Sequence, residues 1–200
     1  MEIAAPTPRG LAKAAELLHA GEVVAYPTET VYGLGADPFS VEALDSLYRV
    51  KRRDPGSPVL LIVSSMEQLD SIVAAISPRA AAYAEAFWPG PLSLLLPPSP
   101  ELPETLLGAE SKVCVRRCSC AIAAALCDAF GGAIVSTSAN TSGKAPAMSP
   151  DETDPVGIAL CLDGGRLDPS PPSTVLDPDT GKVIREGAIS RERLAEAPLP

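Results

Sequence analysis

Strand-length apolar runs alternate with helix-period segments along almost the whole chain, and turns centred on proline or glycine separate them. That alternation restricts the fold more than any other feature, because each helix must pack back over a sheet before the next strand can pair. Thr7 followed by Pro8 caps and starts a helix with Leu11, Ala15 and Leu18 on one face, and Gly21 stops it. Residues 22–26 read as a strand that ends in the polar turn Pro27-Thr28-Glu29-Thr30. Ser40 opens a second helix whose stripe is Ala43, Leu47 and Val50 and whose end carries Lys51, Arg52 and Arg53. Residues 58–63 form a buried strand, and Ser65-x-x-Gln68 is a capping box for the helix after it. Ser77-Pro78 starts another helix, followed by Trp88-Pro89-Gly90-Pro91 and a strand at Leu92–Leu96.

The second half continues in the same way. Residues 112–116 make a strand, 119–130 a helix, Gly131-Gly132 a turn and 133–136 a further strand, before the polar loop 137–144. Thr174–Asp177 and Lys182–Arg185 flank Pro178-Asp179-Thr180-Gly181, a hairpin signal. Helices between strands plus a hairpin predict an α/β fold around a mixed sheet, with residues 1–200 as a single domain.

Several function classes are excluded early. The 200 residues carry a net charge of −9 and 4% aromatic side chains, a poor basis for counterion displacement or base stacking, so strong direct nucleic-acid binding is not expected. No apolar stretch is long enough to span a bilayer, and the first residues lack the regions of a signal peptide, so a cytoplasmic protein with no membrane partner is expected. Five cysteines without a C-x2-C pair, beside one histidine, argue against a zinc site and for free thiols. That lone His19 sits in a last helical turn, so no Ser-His-Asp or Cys-His arrangement can be assembled. The P-loop pattern fails at Ser138 and Ala145, and Gly33-Leu34-Gly35 lacks the third glycine of a dinucleotide fingerprint.

What remains is a set of anion-binding parts. Lys51, Arg52 and Arg53 suit helix-end carbonyls, which accounts for one or two of them, whereas three adjacent cations repel unless an anion offsets them. Ser136, Ser138 and Asn140 end a strand with hydroxyls, an amide and free backbone N–H groups, fit for phosphate or ribose, or simply a solvated loop. Arg116 and Arg185 end strands, where composition alone leaves them as solvated edge charges.

The segment Tyr26-Pro-Thr-Glu-Thr-Val-Tyr-Gly-Leu-Gly-Ala36 resembles the signature of the YrdC-like family, the threonylcarbamoyl-AMP synthases. The resemblance continues in order through Lys51-x-Arg53, Phe87-Trp-Pro-Gly-Pro-Leu92, Val113-x-Val115-Arg116, Ser138-Ala-Asn-x-Ser-Gly143, Ser173-Thr-Val175 and Arg185-x-Gly187. Asp54 stands beside Arg53 where the family often has proline, Lys112 where relatives often carry threonine, and Glu186 where Arg-Pro-Gly is commoner. The chain looks like the short form without an extra C-terminal domain.

The resemblance implies a twisted mixed sheet with helices packed on it and a concave pocket. It implies synthesis of threonylcarbamoyl-AMP and pyrophosphate from L-threonine, bicarbonate and ATP. Thr30, Arg116 and Ser173 would contact threonine; Arg53, Ser57, Ser138 and Arg185 would contact ATP, with Ser136, Asn140 and Pro146 in the same pocket. Lys51 and Arg53 would supply the catalytic charge, Mg²⁺ is expected with ATP, and no organic cofactor is expected. The product would pass to a tRNA threonylcarbamoyl transferase complex. The rivals are a paralogue of the same fold without this activity, an RNA-binding module, and a carbamoyl-transfer domain of a larger hydrogenase-maturation protein. The Lys51-x-Arg53 pair favours the synthase over the paralogue, and the acidic balance speaks against the RNA-binding module.

Overall fold

The computed structural model describes residues 1–54, 59–108, 110–141, 143–154 and 156–200. Four of its five helices start where a hydroxyl can take the first free amides. Thr7 accepts from Gly10 N at the head of α1 (Pro8–His19), and Ser40 from Ala43 N at the head of α2 (Val41–Lys51). Ser77 accepts from Ala80 N before α3 (Pro78–Phe87). Helix α4 (Ala121–Phe130) begins without a side-chain cap and stops at Gly131, whose φ of 85° a β-carbon would disfavour. The fifth, α5 (Arg191–Ala195), is capped by Ser190.

Ten strands form one mixed sheet: β1 (Glu2–Ala4), β2 (Val24–Pro27), β3 (Tyr32–Gly35), β4 (Leu60–Val63), β5 (Leu92–Leu96), β6 (Val113–Arg117), β7 (Ile134–Ser138), β8 (Leu160–Leu162), β9 (Thr174–Asp177) and β10 (Lys182–Arg185). Their spatial order is β1-β8-β2-β3-β7-β4-β6-β5-β9-β10. Strand β4 pairs parallel with β6 and antiparallel with β7, so the centre of the sheet mixes both senses.

The period of two along each strand distributes side chains between two cores. Val24, Tyr26, Ile62 and Ile134 pack with Leu18 of α1 and with Leu126 and Cys127 of α4. Their neighbours Val23, Ala25, Leu61, Val63 and Val135 belong to the larger opposite core, with Leu47 of α2 and Tyr83 of α3. Burial on both faces explains why these strands read as continuous apolar runs.

Two local expectations needed correction, and one strand had carried no expectation: Tyr32–Gly35 pairs antiparallel with β2 and with β7. Glycine is required at position 35, because a β-carbon there would stand 2.8 Å from the Tyr26 ring. Strand β7 runs to Ser138, two residues into the expected loop, because Gly33 and Leu34 offer it pairing partners. Finally, Ser65 caps no helix. Glu67–Ser71 is a short 3₁₀ turn without a side-chain cap, and Gln68 Oε1 instead accepts from Ser64 N at 3.0 Å.

Candidate active site

The β2–β3 turn, the end of α2, the start of β4, β6, the end of β7 and the β9–β10 hairpin all border one cavity of about 360 Å³. Thr28 fixes the first of these elements: its Oγ1 donates to Val31 O (2.7 Å) and accepts from the Thr30 and Val31 amides (3.2 Å each). The hydroxyls of Thr28 and Thr30 are 3.1 Å apart and both buried, at the cavity wall.

Arg116 reaches the cavity from β6 with only 3% of its surface exposed, paired through Nε with Glu29 Oε1 at 3.2 Å. A guanidinium buried to that extent needs both a counterion and a use for its remaining donors. On the far side, Arg185 of β10 donates through Nε and Nη2 to Ser173 O (3.2 and 2.9 Å), and Nη2 also reaches Ser173 Oγ (3.2 Å). Ser173 Oγ accepts in turn from Ser93 (3.0 Å). These bonds hold the segment Pro172-Ser173 against the hairpin and turn its hydroxyl toward the cavity.

Of the residues predicted from sequence, Thr30, Arg53, Arg116, Ser136, Ser138, Pro146, Ser173 and Arg185 all line this space. Lys51 and Asn140 do not border it. Lys51 lies beneath its wall, 4% exposed, donating to Ser138 O (2.5 Å), Ser138 Oγ (3.3 Å) and Asn140 Oδ1 (2.7 Å). Burial, and then the nearby Arg53 charge, push the Lys51 ammonium down to about 8. The predicted contact of Ser57 lies outside the described residues. Thr137, part of the polar run that begins at Ser136, also lines the cavity, as do Thr28, Gly33 and Pro172, which were not predicted; Thr28 had a signal, its place in the same turn as Thr30.

A second chamber of about 440 Å³ shares Val59, Leu60, Ser173 and Arg185 with the first. Its walls are mainly apolar, with Leu95, Cys114, Val175 and Ile184, and its charged lining is Glu110, Lys112, Lys182 and the shared Arg185. Lys112 donates to the buried Asp177 at 2.8 Å. Burial works to raise the Asp177 carboxyl, but the bonds from Lys112 and the Thr180 amide outweigh it and hold it below the usual range. All five cysteines are free, as expected, and burial raises the thiols of Cys114, Cys118, Cys127 and Cys161. Among the described residues no cluster of His, Cys, Asp or Glu could hold a metal ion, and no helix is long and apolar enough to cross a membrane.

Three arginines and a rim of hydroxyls line one hollow that is joined to a mainly apolar chamber, a lining chemically able to take small anions with an apolar portion. Residues 16–187 match the family described as Telomere recombination (Sua5/YciO/YrdC), and the chain belongs to that family. It is 44% identical over 187 residues to the threonylcarbamoyl-AMP synthase of Alkalilimnicola ehrlichii, covering 90% of this chain and 97% of that protein. It also resembles the structure of Sua5 from P. abyssi in complex with L-threonine, at a TM-score of 0.87 and 34% identity. That likeness covers 93% of this chain, which spans only 56% of the P. abyssi protein. The structure of YciO from E. coli is similar at a TM-score of 0.81 and 28% identity, with 93% of this chain and 94% of that one covered.

Proposed function

We propose that this chain is a threonylcarbamoyl-AMP synthase, which converts L-threonine, bicarbonate and ATP into threonylcarbamoyl-AMP and pyrophosphate. The observation that carries this reading is the convergence of Arg53, Arg116 and Arg185 with six hydroxyl residues (Thr28, Thr30, Ser136, Thr137, Ser138 and Ser173) on one cavity. The identity shared with curated synthases over nine-tenths of the chain supports it.

Arg116 would take the threonine carboxylate, with Thr30 and Ser173 beside it. Arg53 and Arg185 would take the phosphates, and the apolar chamber beyond Ser173 and Arg185 would receive the adenosine. Mg²⁺ would arrive with the triphosphate as part of the substrate and offset its charge. The threonine amine would attack bicarbonate, giving a carbamate and releasing water, or attack carbon dioxide already dehydrated from bicarbonate, giving the carbamate and a proton. A carbamate oxygen would then form a bond to the α-phosphorus while the bond to pyrophosphate breaks. Neither step requires a protein nucleophile, in keeping with a cavity lined by donors rather than by histidine or cysteine. Positioning and charge neutralisation are what such a lining supplies. The adenylate would serve a transferase that modifies tRNA adenosine, the first step of threonylcarbamoyladenosine formation.

Incubation with Mg·ATP, bicarbonate and a panel of amino acids, followed by mass spectrometry, tests the reading. A threonine-dependent adenylate and stoichiometric pyrophosphate are expected. ATP that stays intact with every amino acid would instead favour a paralogue of the same fold without this activity.

A further inference from the structure

Arg116 is the most buried cation at the cavity, and among the described residues its charge has one partner, Glu29. Glu29 does not line the cavity. It lies behind Arg116 in the β2–β3 turn, flanked by Thr28 and Thr30, with 14% of its side chain exposed. One carboxylate oxygen, Oε1, faces Arg116 Nε at 3.2 Å. The other, Oε2, accepts from the Cys118 thiol.

Cys118 can only donate there, because burial and then the Glu29 charge itself keep its thiol protonated well above the ordinary range. The strand that carries Arg116 thus returns, two residues later, to hold the carboxylate that holds Arg116. Among the described residues the terminal nitrogens of Arg116 donate no hydrogen bond, and Arg116 borders the cavity. The pairing at Nε is an ion pair without a hydrogen bond, and it leaves the two terminal nitrogens, coplanar by the covalent geometry of the guanidinium, to offer a carboxylate two parallel hydrogen bonds.

The geometry points to Glu29 as a positioning residue for the amino-acid substrate, fixing the orientation of Arg116 under the restraint of Cys118. This rests on the reading that Arg116 takes the threonine carboxylate. It gives a function to the acidic member of the Thr28-Glu29-Thr30 turn and to one of five thiols that the chemistry otherwise leaves unused. A carboxylate in that position also limits the net charge offered to the substrate. Arg116 attracts a carboxylate through directed hydrogen bonds more than as a bare cation, which favours a zwitterionic amino acid over a more highly charged anion.

The test is steady-state pyrophosphate release by the full chain, with threonine and ATP varied separately. Glu29→Gln retains size and an acceptor for the thiol but removes the charge. Loss of one charge-assisted contact should raise the threonine KM about tenfold, with the ATP KM and the kcat at saturating threonine within about twofold of the parent. Cys118→Ala should raise the threonine KM by a smaller factor, and Cys118→Ser, which restores a donor, should return it toward the parent value. These two variants decide the matter if Glu29→Gln folds poorly. Unchanged threonine KM values in an active background would overturn the inference while leaving the synthase reading intact. So would equal rises in both KM values, which mark a general packing defect. A parent protein that forms no threonine-dependent adenylate would overturn both.

Discussion

Gly187 is the position where one methyl group should do the most damage to the site without touching a substrate. A β-carbon there would stand 2.0 Å from the Pro172 carbonyl oxygen and 2.8 Å from the Ser173 carbonyl carbon and oxygen. Carbon–oxygen contacts settle at about 3.3 Å or more, so the two segments must separate by more than about 1 Å. The bonds that join them are short and few: Gly187 N to Thr174 Oγ1 (2.9 Å), Ala188 N to Pro172 O (2.9 Å), and Arg185 Nη2 to Ser173 O (2.9 Å). Separation on that scale breaks the Arg185 latch and shifts the Ser173 hydroxyl out of the wall shared by both chambers. Overpacking of this kind costs about 1–3 kcal/mol, or roughly 2–12 °C in Tm for a chain of this size. The functional loss should be larger, because a misplacement of about 1 Å in a positioning group can lower turnover about a hundredfold. Gly187→Ala is therefore expected to fold, to melt a few degrees lower, and to lose roughly two orders of magnitude in kcat/KM for threonine in a pyrophosphate-release assay. Normal kcat/KM in a folded variant would refute the claim that this close approach holds the site together.

Arg53→Ala should weaken ATP binding roughly 10- to 150-fold, the equivalent of one charge-assisted hydrogen bond, as read by calorimetry; an unchanged affinity would remove Arg53 from the nucleotide subsite. Thr30→Val should raise the threonine KM more than the ATP KM, and equal effects would make the residue structural. Lys51 titrates near pH 8 in the folded chain but near its ordinary 10.5 when unfolded. Between those values the unfolded state binds more protons, so stability rises with pH and the penalty for burying the charge disappears. The stability of the parent relative to Lys51→Met, measured by urea titration, should accordingly increase from pH 7 to pH 10; a constant difference would mean that the Lys51 ammonium is not destabilised by burial.

The helices were legible because their signals are local: Thr7, Ser40 and Ser77 each sit three residues before the amide they cap. Strand β3 was not, since Tyr32-Gly33-Leu34-Gly35 has the composition of a loop. Its glycines are explained only by the Tyr26 ring and the Ser136 hydroxyl that approach them from other strands. The three-residue strands β1 and β8 escaped for a related reason, as each is stabilised by pairing rather than by its own pattern. The site divides similarly. Arg116 looks in sequence like a solvated strand end, and only the fold buries it against Glu29. The family motif identified most of the residues that meet at the cavity, while Lys51 and Asn140 do not line it and bond to each other. The thiol–carboxylate contact between Cys118 and Glu29 joins positions 89 residues apart and left no trace in the spacing.

The bonds made by Lys51 also have a mechanical consequence. Its ammonium rivets the last turn of α2, just before Arg53, to the end of β7 that carries Ser138, across 87 residues of chain. Two residues that line the same cavity from distant stretches of chain, Arg53 and Ser138, are thereby tethered through one buried ammonium.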